Sequence, residues 1–190
     1  ASYSHRFLDN NEKDFIESFD FFESDWIKTG MKEDRLVLRH FFNERNHKNL
    51  FYWSAQVQRK LGLQRKIPND IQMMIGSQWW CLRRRTAEWV LNFCKERKDV
   101  MTFFRTTWIP DETFFQTIVR HLVPEREVET RTLTFLMFSD YGMPVTFFND
   151  HYEMLLSQDF LFARKVSPQA NELKARLGDL YKSRQSEFSI

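Results

Sequence analysis

The feature that most constrains this fold is a strand signal followed directly by a helix signal in residues 76–94, GSQWWCLRRRTAEWVLNFC. A glycine turn leads into a short apolar run over 79–82, which predicts a strand. Residues 84–94 then place apolar side chains at helical spacing, which predicts a helix. A strand that runs directly into a helix is typical of α/β folds, so we assign the chain to that class.

The same alternation continues along the rest of the chain. Apolar runs predict strands over 14–19, 36–42, 131–138, 145–148 and 160–166. Helical periodicity predicts helices over 46–61, 97–106, 110–121, 150–156 and in the last twenty residues, with Gly62 as a helix stop. Because the sequence contains no internal repeat, low-complexity tract or composition break, we predict a single α/β unit.

Composition excludes several classes of protein. The chain has 190 residues, 42% of them hydrophobic, which is enough to bury a substantial core. The formal net charge of +2 gives no general attraction to nucleic acid or to an anionic membrane. Cys81 and Cys94 lack CxxC spacing, so we expect a reducing compartment and no disulfide framework. No apolar run approaches the ~18–20 residues that span a bilayer.

The stretch WIPDETFFQT, residues 108–117, places two adjacent carboxylates, Asp111 and Glu112, between a proline and an aromatic helix face. Acidic residues in a first helical turn are stabilised by the helix dipole, which is one explanation for them. The other explanation is chemical, because a carboxylate held in its charged form can accept a proton at neutral pH. The spacing alone does not decide between a helix start and a general base.

The adjacent residues Trp79 and Trp80 would face opposite sides of a strand. One of them would then point toward a cleft, where an indole suits the apolar face of a sugar ring. The alternative places one tryptophan in each of two hydrophobic layers. The sequence pattern is compatible with both arrangements.

Three arginines at 83–85 fit a solvated helix start, and we expect no nucleic-acid partner. The pair Arg164 and Lys165 differs because it follows the apolar stretch FLFA, and cations at a strand end can project into a phosphate-binding pocket. An ordinary surface pair is the alternative. The five histidines show no metal-ligand spacing and no DxD triplet is present, so we predict no metal site and no cofactor.

Several of these segments, in this order, resemble one family, the core-2/I-branching β-1,6-N-acetylglucosaminyltransferases and the related peptide O-xylosyltransferases, particularly their bacterial members. The resemblance is carried by FIES at 15–18, DWIKTG at 25–30, RKLGLQRKIP at 59–68, GSQWWCLRRRTAEWVL at 76–91, WIPDETFFQT at 108–117, RTLTF at 131–135, NDHYEMLL at 149–156 and FARKV at 162–166. The GSxWW and PDExFFQT motifs are specific as a pair, and the matching segments cover nearly the whole chain.

The resemblance implies a GT-A-like α/β domain with a mixed sheet flanked by helices, acting as an inverting transferase of a UDP-sugar without a divalent metal. Glu112 falls on the family's catalytic glutamate, which accepts the proton of the acceptor hydroxyl. Lys165 falls on a basic residue that binds the donor diphosphate. The companion arginine has no match in SDYGMPVTF, residues 139–147, so Arg164 and Arg131 are the candidates to replace it.

Acceptor contacts in the family come from segments that match FIES, the charged stretch after it and the GSxWW region. The resemblance therefore implies acceptor binding by Glu17, Trp79, Trp80, Lys32 and Arg35. Gly76 would allow close backbone approach.

Family members also carry an N-terminal nucleotide-binding half, which nothing here resembles, so we expect the chain to be the acceptor-side and catalytic part of a larger domain. The expected partners are a UDP-sugar of the N-acetylglucosamine or xylose type, a glycan or other hydroxyl acceptor, and that missing half. A bacterial cytoplasmic location, with or without membrane association, is favoured over the Golgi lumen. A non-catalytic carbohydrate-binding module and a protein-interaction scaffold are the alternative functions.

Overall fold

The computed structural model describes residues 11–26 and 33–187, with side chains up to residue 183. Contacts divide this part of the chain into two compact units, a larger one of residues 14–131 and a smaller one of residues 11–13 and 132–187. The sequence predicts one α/β unit, because it shows no change of composition at this boundary. Each unit is described by itself.

In its described residues, 14–26 and 33–131, the larger unit contains four short strands and five helices. They are β1 (Asp14–Phe15), β2 (Phe19–Asp20), α1 (Asp34–Val37), α2 (Lys48–Lys60), β3 (Met74–Ile75), α3 (Arg84–Glu96), α4 (Lys98–Arg105), α5 (Phe114–Leu122) and β4 (Val128–Glu129), with 3₁₀ turns at Pro110–Glu112 and Glu125–Glu127. Strand β1 pairs in parallel with β4, and β2 pairs antiparallel with β3. Helices α3, α4 and α5 supply much of the core that packs with these strands, including Val90, Val100 and Ile118.

A buried carboxylate fixes the start of helix α3. Asp14 is fully buried in β1 and accepts hydrogen bonds from the backbone N–H of Arg83 at 2.7 Å, the Arg83 guanidinium at 2.8 Å and the Thr86 hydroxyl at 2.7 Å. Buried charges are stable only with such compensation, so this network ties β1 to α3. The prediction of a solvated basic run is therefore wrong for Arg83, while Arg84 is 93% exposed.

The predicted strand over 36–42 is wrong, although its burial pattern is that of an extended segment. Helix α1 ends at Val37, and burial then alternates along the next residues, with Leu38 and His40 buried. No neighbouring strand pairs with this segment in the described part of the chain. Instead, the Gln58 side-chain amide bonds both the N–H and the carbonyl of Arg39 at 2.9 Å, and the His40 N–H donates to the Thr106 carbonyl at 2.9 Å.

Other predicted elements are found with different limits. The strand predicted over 14–19 is divided into β1 and β2, and the strand predicted over 79–82 is wrong, because only Cys81 forms a bridge there, with Phe15. The helices predicted over 46–61, 84–94, 97–106 and 110–121 are confirmed within a few residues, the last beginning as a 3₁₀ turn. Gly62 ends its helix as predicted, with a φ of +64°.

The described residues of the smaller unit contain one parallel strand pair. They form β5 (Thr134–Leu136), a 3₁₀ turn at Asn149–His151, α6 (Tyr152–Leu156), β6 (Phe162–Arg164) and α7 (Asn171–Glu187), and β5 pairs with β6. Phe147, Ala170 and Leu173 form its buried centre. The predicted strand over 145–148 is reduced to a bridge between Phe147 and Val166.

These elements confirm a mixed α/β protein of helices and small sheets. Within the described ranges the sheets are three separate two-stranded pairs, two parallel and one antiparallel, rather than one continuous mixed sheet. Across the same residues, none of the helices combines the length and the apolar character that crossing a bilayer requires.

Candidate active site

Glu112 lies at the end of the 3₁₀ turn Pro110–Glu112, directly before helix α5. The turn is entered through Ile109, whose φ of +52° lies in the left-handed region. A β-branched residue is strained there by about 1–3 kcal/mol, and such strain persists only where surrounding contacts hold it. Two local hydrogen bonds close this turn, from the Glu112 N–H to the Ile109 carbonyl at 3.3 Å and from the Thr113 N–H to the Pro110 carbonyl at 3.1 Å.

The Glu112 carboxylate is paired with Arg35. The Arg35 Nη1 donates to Glu112 Oε2 at 2.7 Å, and the two side chains are 8% and 28% exposed. The Arg35 guanidinium also lies 5.2 Å from the ring centre of Trp108. Among residues 11–26 and 33–187, Arg35 is the only side chain bonded to this carboxylate, so Glu112 Oε1 is left without a partner there.

A second buried arginine holds the backbone that carries Arg35. Arg65 is 7% exposed, and its guanidinium donates to the carbonyls of Arg35, Leu36 and Phe103 and to the hydroxyls of Thr106 and Thr107. Burial lowers the pKa of Arg65 to about 10, so the group remains a cation at neutral pH. All these acceptors are neutral, so Arg65 cross-links the end of α4 to α1 through carbonyl and hydroxyl groups and without an ion pair.

Gln116 links the GSQ segment to the turn that carries Glu112. The Gln116 side chain is fully buried, and its Nε2 donates to the Ser77 carbonyl at 2.8 Å and the Asp111 carbonyl at 3.3 Å. The Gly76 N–H donates to the Glu112 carbonyl at 2.9 Å. These bonds join the loop after β3 to the turn that carries Glu112, so the two motifs form one piece of structure.

Glu17 lies against the same loop. A Cβ placed on Gly76 would come within 2.0 Å of the Glu17 carbonyl oxygen, which confirms that glycine is needed there for close backbone approach. Burial raises the pKa of the Glu17 carboxyl, and a hydrogen bond from the Ser77 N–H partly opposes this rise. Glu17 is thus held beside the Gly76 loop, which in turn is bonded to the Glu112 turn.

A cleft of about 590 Å³ opens beside Glu112 within the larger unit. Its wall includes Trp108 and Glu112 from one side and the chain from His40 to Arg45 from another. Gln78 from the loop after β3 contributes as well. The volume falls within the ~300–1,000 Å³ typical of clefts that bind small molecules.

The paired tryptophans are both partly exposed, at 40% for Trp79 and 37% for Trp80. The alternative that buries one in each of two hydrophobic layers is therefore wrong. The strand that would turn them to opposite faces is absent as well, since the segment is irregular until Cys81. The Trp80 ring centre lies 4.3 Å from that of Phe115 on α5, so Trp80 is supported by the helix that follows Glu112.

The basic candidates belong mostly to the smaller unit. Arg164 ends β6 and is half-buried, whereas Lys165 is exposed and has no side-chain hydrogen bond or ion pair within the described ranges. Arg131 belongs to the larger unit, with its guanidinium 5.8 Å from the Phe15 ring centre. The stretch in which the companion arginine has no match forms a tight turn, with Gly142 at a φ of +73°.

The structure brings Glu112, Arg35, Glu17 and the loop before the tryptophans into one connected network, whereas Lys32 lies outside the described residues. Sequence reasoning missed three residues that hold this network, Arg65, Gln116 and Trp108. All three lie inside the motifs RKLGLQRKIP and WIPDETFFQT, so the motifs signalled their importance without revealing their contacts.

In the part of the chain that is described, no three His, Cys, Asp or Glu residues are grouped so that they could hold a metal ion. A comparison with curated proteins gave no match. A family model described as Core-2/I-Branching enzyme matches residues 1–160, which is most of the chain. This match confirms the family suggested by the sequence motifs. The chain therefore belongs to the Core-2/I-Branching enzyme family, a family of glycosyltransferases.

Proposed function

We propose that this chain carries the catalytic and acceptor-binding part of an inverting transferase that moves a sugar from a UDP-sugar to a hydroxyl acceptor without a metal ion. The observation that carries the proposal is the Glu112 carboxylate, which lies in the wall of a cleft and is bonded through one oxygen to a buried arginine. Family membership supports the reaction class. The donor type, inversion and metal independence rest on the family resemblance.

In the proposed reaction, Glu112 accepts the proton of the acceptor hydroxyl. The acceptor oxygen then attacks the anomeric carbon from the face opposite the nucleotide. The new C–O bond forms as the bond to the diphosphate breaks, and UDP leaves with the bonding electron pair, which inverts the anomeric configuration. Arg35 binds Glu112 Oε2 and fixes the orientation of the carboxylate, so that Oε1 is available for the proton.

Negative charge that builds on the departing diphosphate has to be offset by nearby cations. We assign this role to Lys165, whose ammonium is exposed and unpaired in the described residues, with Arg164 or Arg131 as the second cation. Glu17, Arg35, Lys32 and the tryptophans Trp79 and Trp80 are proposed to bind the acceptor. A nucleotide-binding half would supply the uridine contacts, and the two unpaired cysteines favour a reducing compartment.

A transfer assay on the full-length protein tests this function directly. We expect incubation with UDP-N-acetylglucosamine or UDP-xylose and a panel of saccharide acceptors to release UDP and form a new glycosidic bond. NMR of the product should show the β configuration from an α-linked donor. Turnover should be unchanged in excess EDTA, and its loss on chelation with recovery on adding a divalent cation would contradict metal independence.

Replacing Lys165 with Ala is expected to weaken UDP binding roughly 10–100-fold, because hydrogen bonds to charged groups contribute about 1.5–3 kcal/mol. Isothermal titration calorimetry with UDP measures this effect. Lys182→Ala, which removes an exposed lysine of helix α7, is the matched control and should leave the affinity unchanged. Saccharide binding with no UDP binding in the full-length wild-type protein would instead favour the carbohydrate-binding module.

A further inference from the structure

The cleft beside Glu112 extends past the base along the segment from His40 to Arg45. This segment is not part of any motif that carries the family resemblance. A volume of about 590 Å³ suits a drug-sized molecule and exceeds what a single sugar ring requires. An acceptor hydroxyl placed at Glu112 would therefore leave room in the cleft for the rest of the acceptor.

A fixed hydrogen-bond acceptor stands in this extension. The Tyr52 hydroxyl donates to Glu44 Oε1 at 2.6 Å, and this bond is the main cause of the raised pKa of Tyr52. Glu44 Oε2 has no partner within the described ranges. Tyr52 thus orients the Glu44 carboxylate through Oε1 and leaves Oε2 open. Arg35 orients the Glu112 carboxylate in the same way, through one of its two oxygens.

Two further polar residues, Asn43 and His40, line the same cleft as Glu44. Asn43 Oδ1 accepts the Arg45 N–H at 2.9 Å, which leaves the Asn43 amide hydrogens for another acceptor. His40 is 8% exposed, and its Nε2 bonds the Asp34 carbonyl at 2.9 Å, so this nitrogen carries the proton. Burial lowers the pKa of His40, which keeps the ring neutral. His40 Nδ1 is then a buried acceptor without a hydrogen-bond partner among the described residues.

The charges in the wall argue against a phosphate as the occupant. Glu44, Asp111 and Glu112 contribute three carboxylates, and Arg45 is the one Arg or Lys among the described residues that line the cleft. Arg35 also pairs with Glu112 at 2.7 Å, so these five groups together keep a net negative charge. A diphosphate would meet repulsion here, whereas sugar hydroxyls can donate to carboxylate and imidazole acceptors. Trp108 adds an aromatic surface, its ring centre 5.3 Å from that of Phe51.

We propose that this extension is a subsite for the second sugar ring of an oligosaccharide acceptor, with Glu44, Asn43 and His40 as its hydrogen-bonding groups. The proposal rests on the proposed function, since it assumes that the first ring presents its hydroxyl to Glu112. Glu44 is then a specificity-determining residue, because it recognises the length of the acceptor rather than the reacting hydroxyl. Tyr52 is a positioning residue that acts through Glu44.

Calorimetry with matched sugars tests the subsite. The probes are methyl β-galactoside with lactose, methyl β-glucoside with cellobiose, and methyl β-N-acetylglucosaminide with chitobiose. In at least one pair we expect the disaccharide to bind at least tenfold tighter than the monosaccharide. Glu44→Gln should remove most of that advantage and change monosaccharide affinity by less than about twofold, because a bond to a charged group is worth roughly tenfold or more.

Two further variants separate recognition from folding. Tyr52→Phe should reduce the disaccharide advantage partially, and Glu88→Gln, an exposed carboxylate of α3, should leave it intact. The subsite is overturned if no pair shows a disaccharide advantage, or if Glu44→Gln leaves that advantage in place. A retained, Glu44-dependent advantage in a protein that transfers no sugar would contradict the proposed function and support the subsite.

Discussion

Replacing Glu112 with Gln is expected to lower kcat for sugar transfer roughly 10²–10⁴-fold, the usual contribution of a general base. The amide cannot accept the acceptor proton, but its oxygen can still receive the Arg35 hydrogen bond that now reaches Oε2 at 2.7 Å. The fold and the cleft should therefore survive the substitution. Initial-rate measurements with a UDP-sugar and an acceptor give kcat and KM, and calorimetry with UDP should show unchanged affinity.

Two other carboxylates serve as comparisons for this variant. Asp111 is the neighbour of Glu112, but its carboxylate has no side-chain partner within the described residues, so Asp111→Asn should cost less than about tenfold in kcat. Glu88→Gln, on the surface of α3, should have no effect. Near-normal turnover of Glu112→Gln in a folded protein would exclude Glu112 as the base. If Asp111→Asn lowered kcat as much as Glu112→Gln does, the effect would have to be assigned to Asp111 or to the turn as a whole.

The sequence predicted helices better than strands for a physical reason. Helices α2, α3, α4 and α5 carry their own hydrogen bonds and need only an apolar face, which periodicity reveals. A strand requires a partner strand, which can be far away in sequence. Residues 38–40 show the alternation of a strand, yet the Gln58 side chain and the Thr106 carbonyl supply the partners, and no local pattern could indicate this.

The sequence predicts residues of the candidate site only where a motif or the family resemblance points to that residue by itself. The PDE motif predicts Glu112 as a base and the resemblance predicts Arg35 as an acceptor contact, but neither indicates their 2.7 Å ion pair, which joins positions 77 residues apart. Arg65 and Gln116 were missed because their roles arise entirely from tertiary contacts with backbone carbonyls. A buried arginine without a carboxylate partner looks like any surface arginine in sequence, since burial is a property of the fold.

Replacing Gly76 with Ala is expected to destabilise the larger unit by about 3 kcal/mol or more. The new Cβ would lie 2.0 Å from the Glu17 carbonyl oxygen and 2.6 Å from its carbon, and both are backbone atoms that cannot rotate away. Any shift that relieves the overlap also stretches the 2.9 Å bond from the Gly76 N–H to the Glu112 carbonyl. For a chain of this size the melting temperature should fall by roughly 6–12 °C.

Gly178→Ala is the matched control, because a Cβ at that position in helix α7 meets no atom within 4 Å. Alanine is favoured over glycine in a helix interior, so this variant should gain up to about 1 kcal/mol. Thermal unfolding measures both variants, and hydrogen–deuterium exchange over 74–78 and 171–187 locates each effect. Gly76→Ala could have the melting temperature of the wild type and unchanged protection from hydrogen exchange over 74–78. In that case the contact between this loop and Glu17 would not exist in solution. The inference that Gly76 connects Glu17 to Glu112 would then be wrong, because this connection requires the Gly76 backbone to lie against the Glu17 carbonyl.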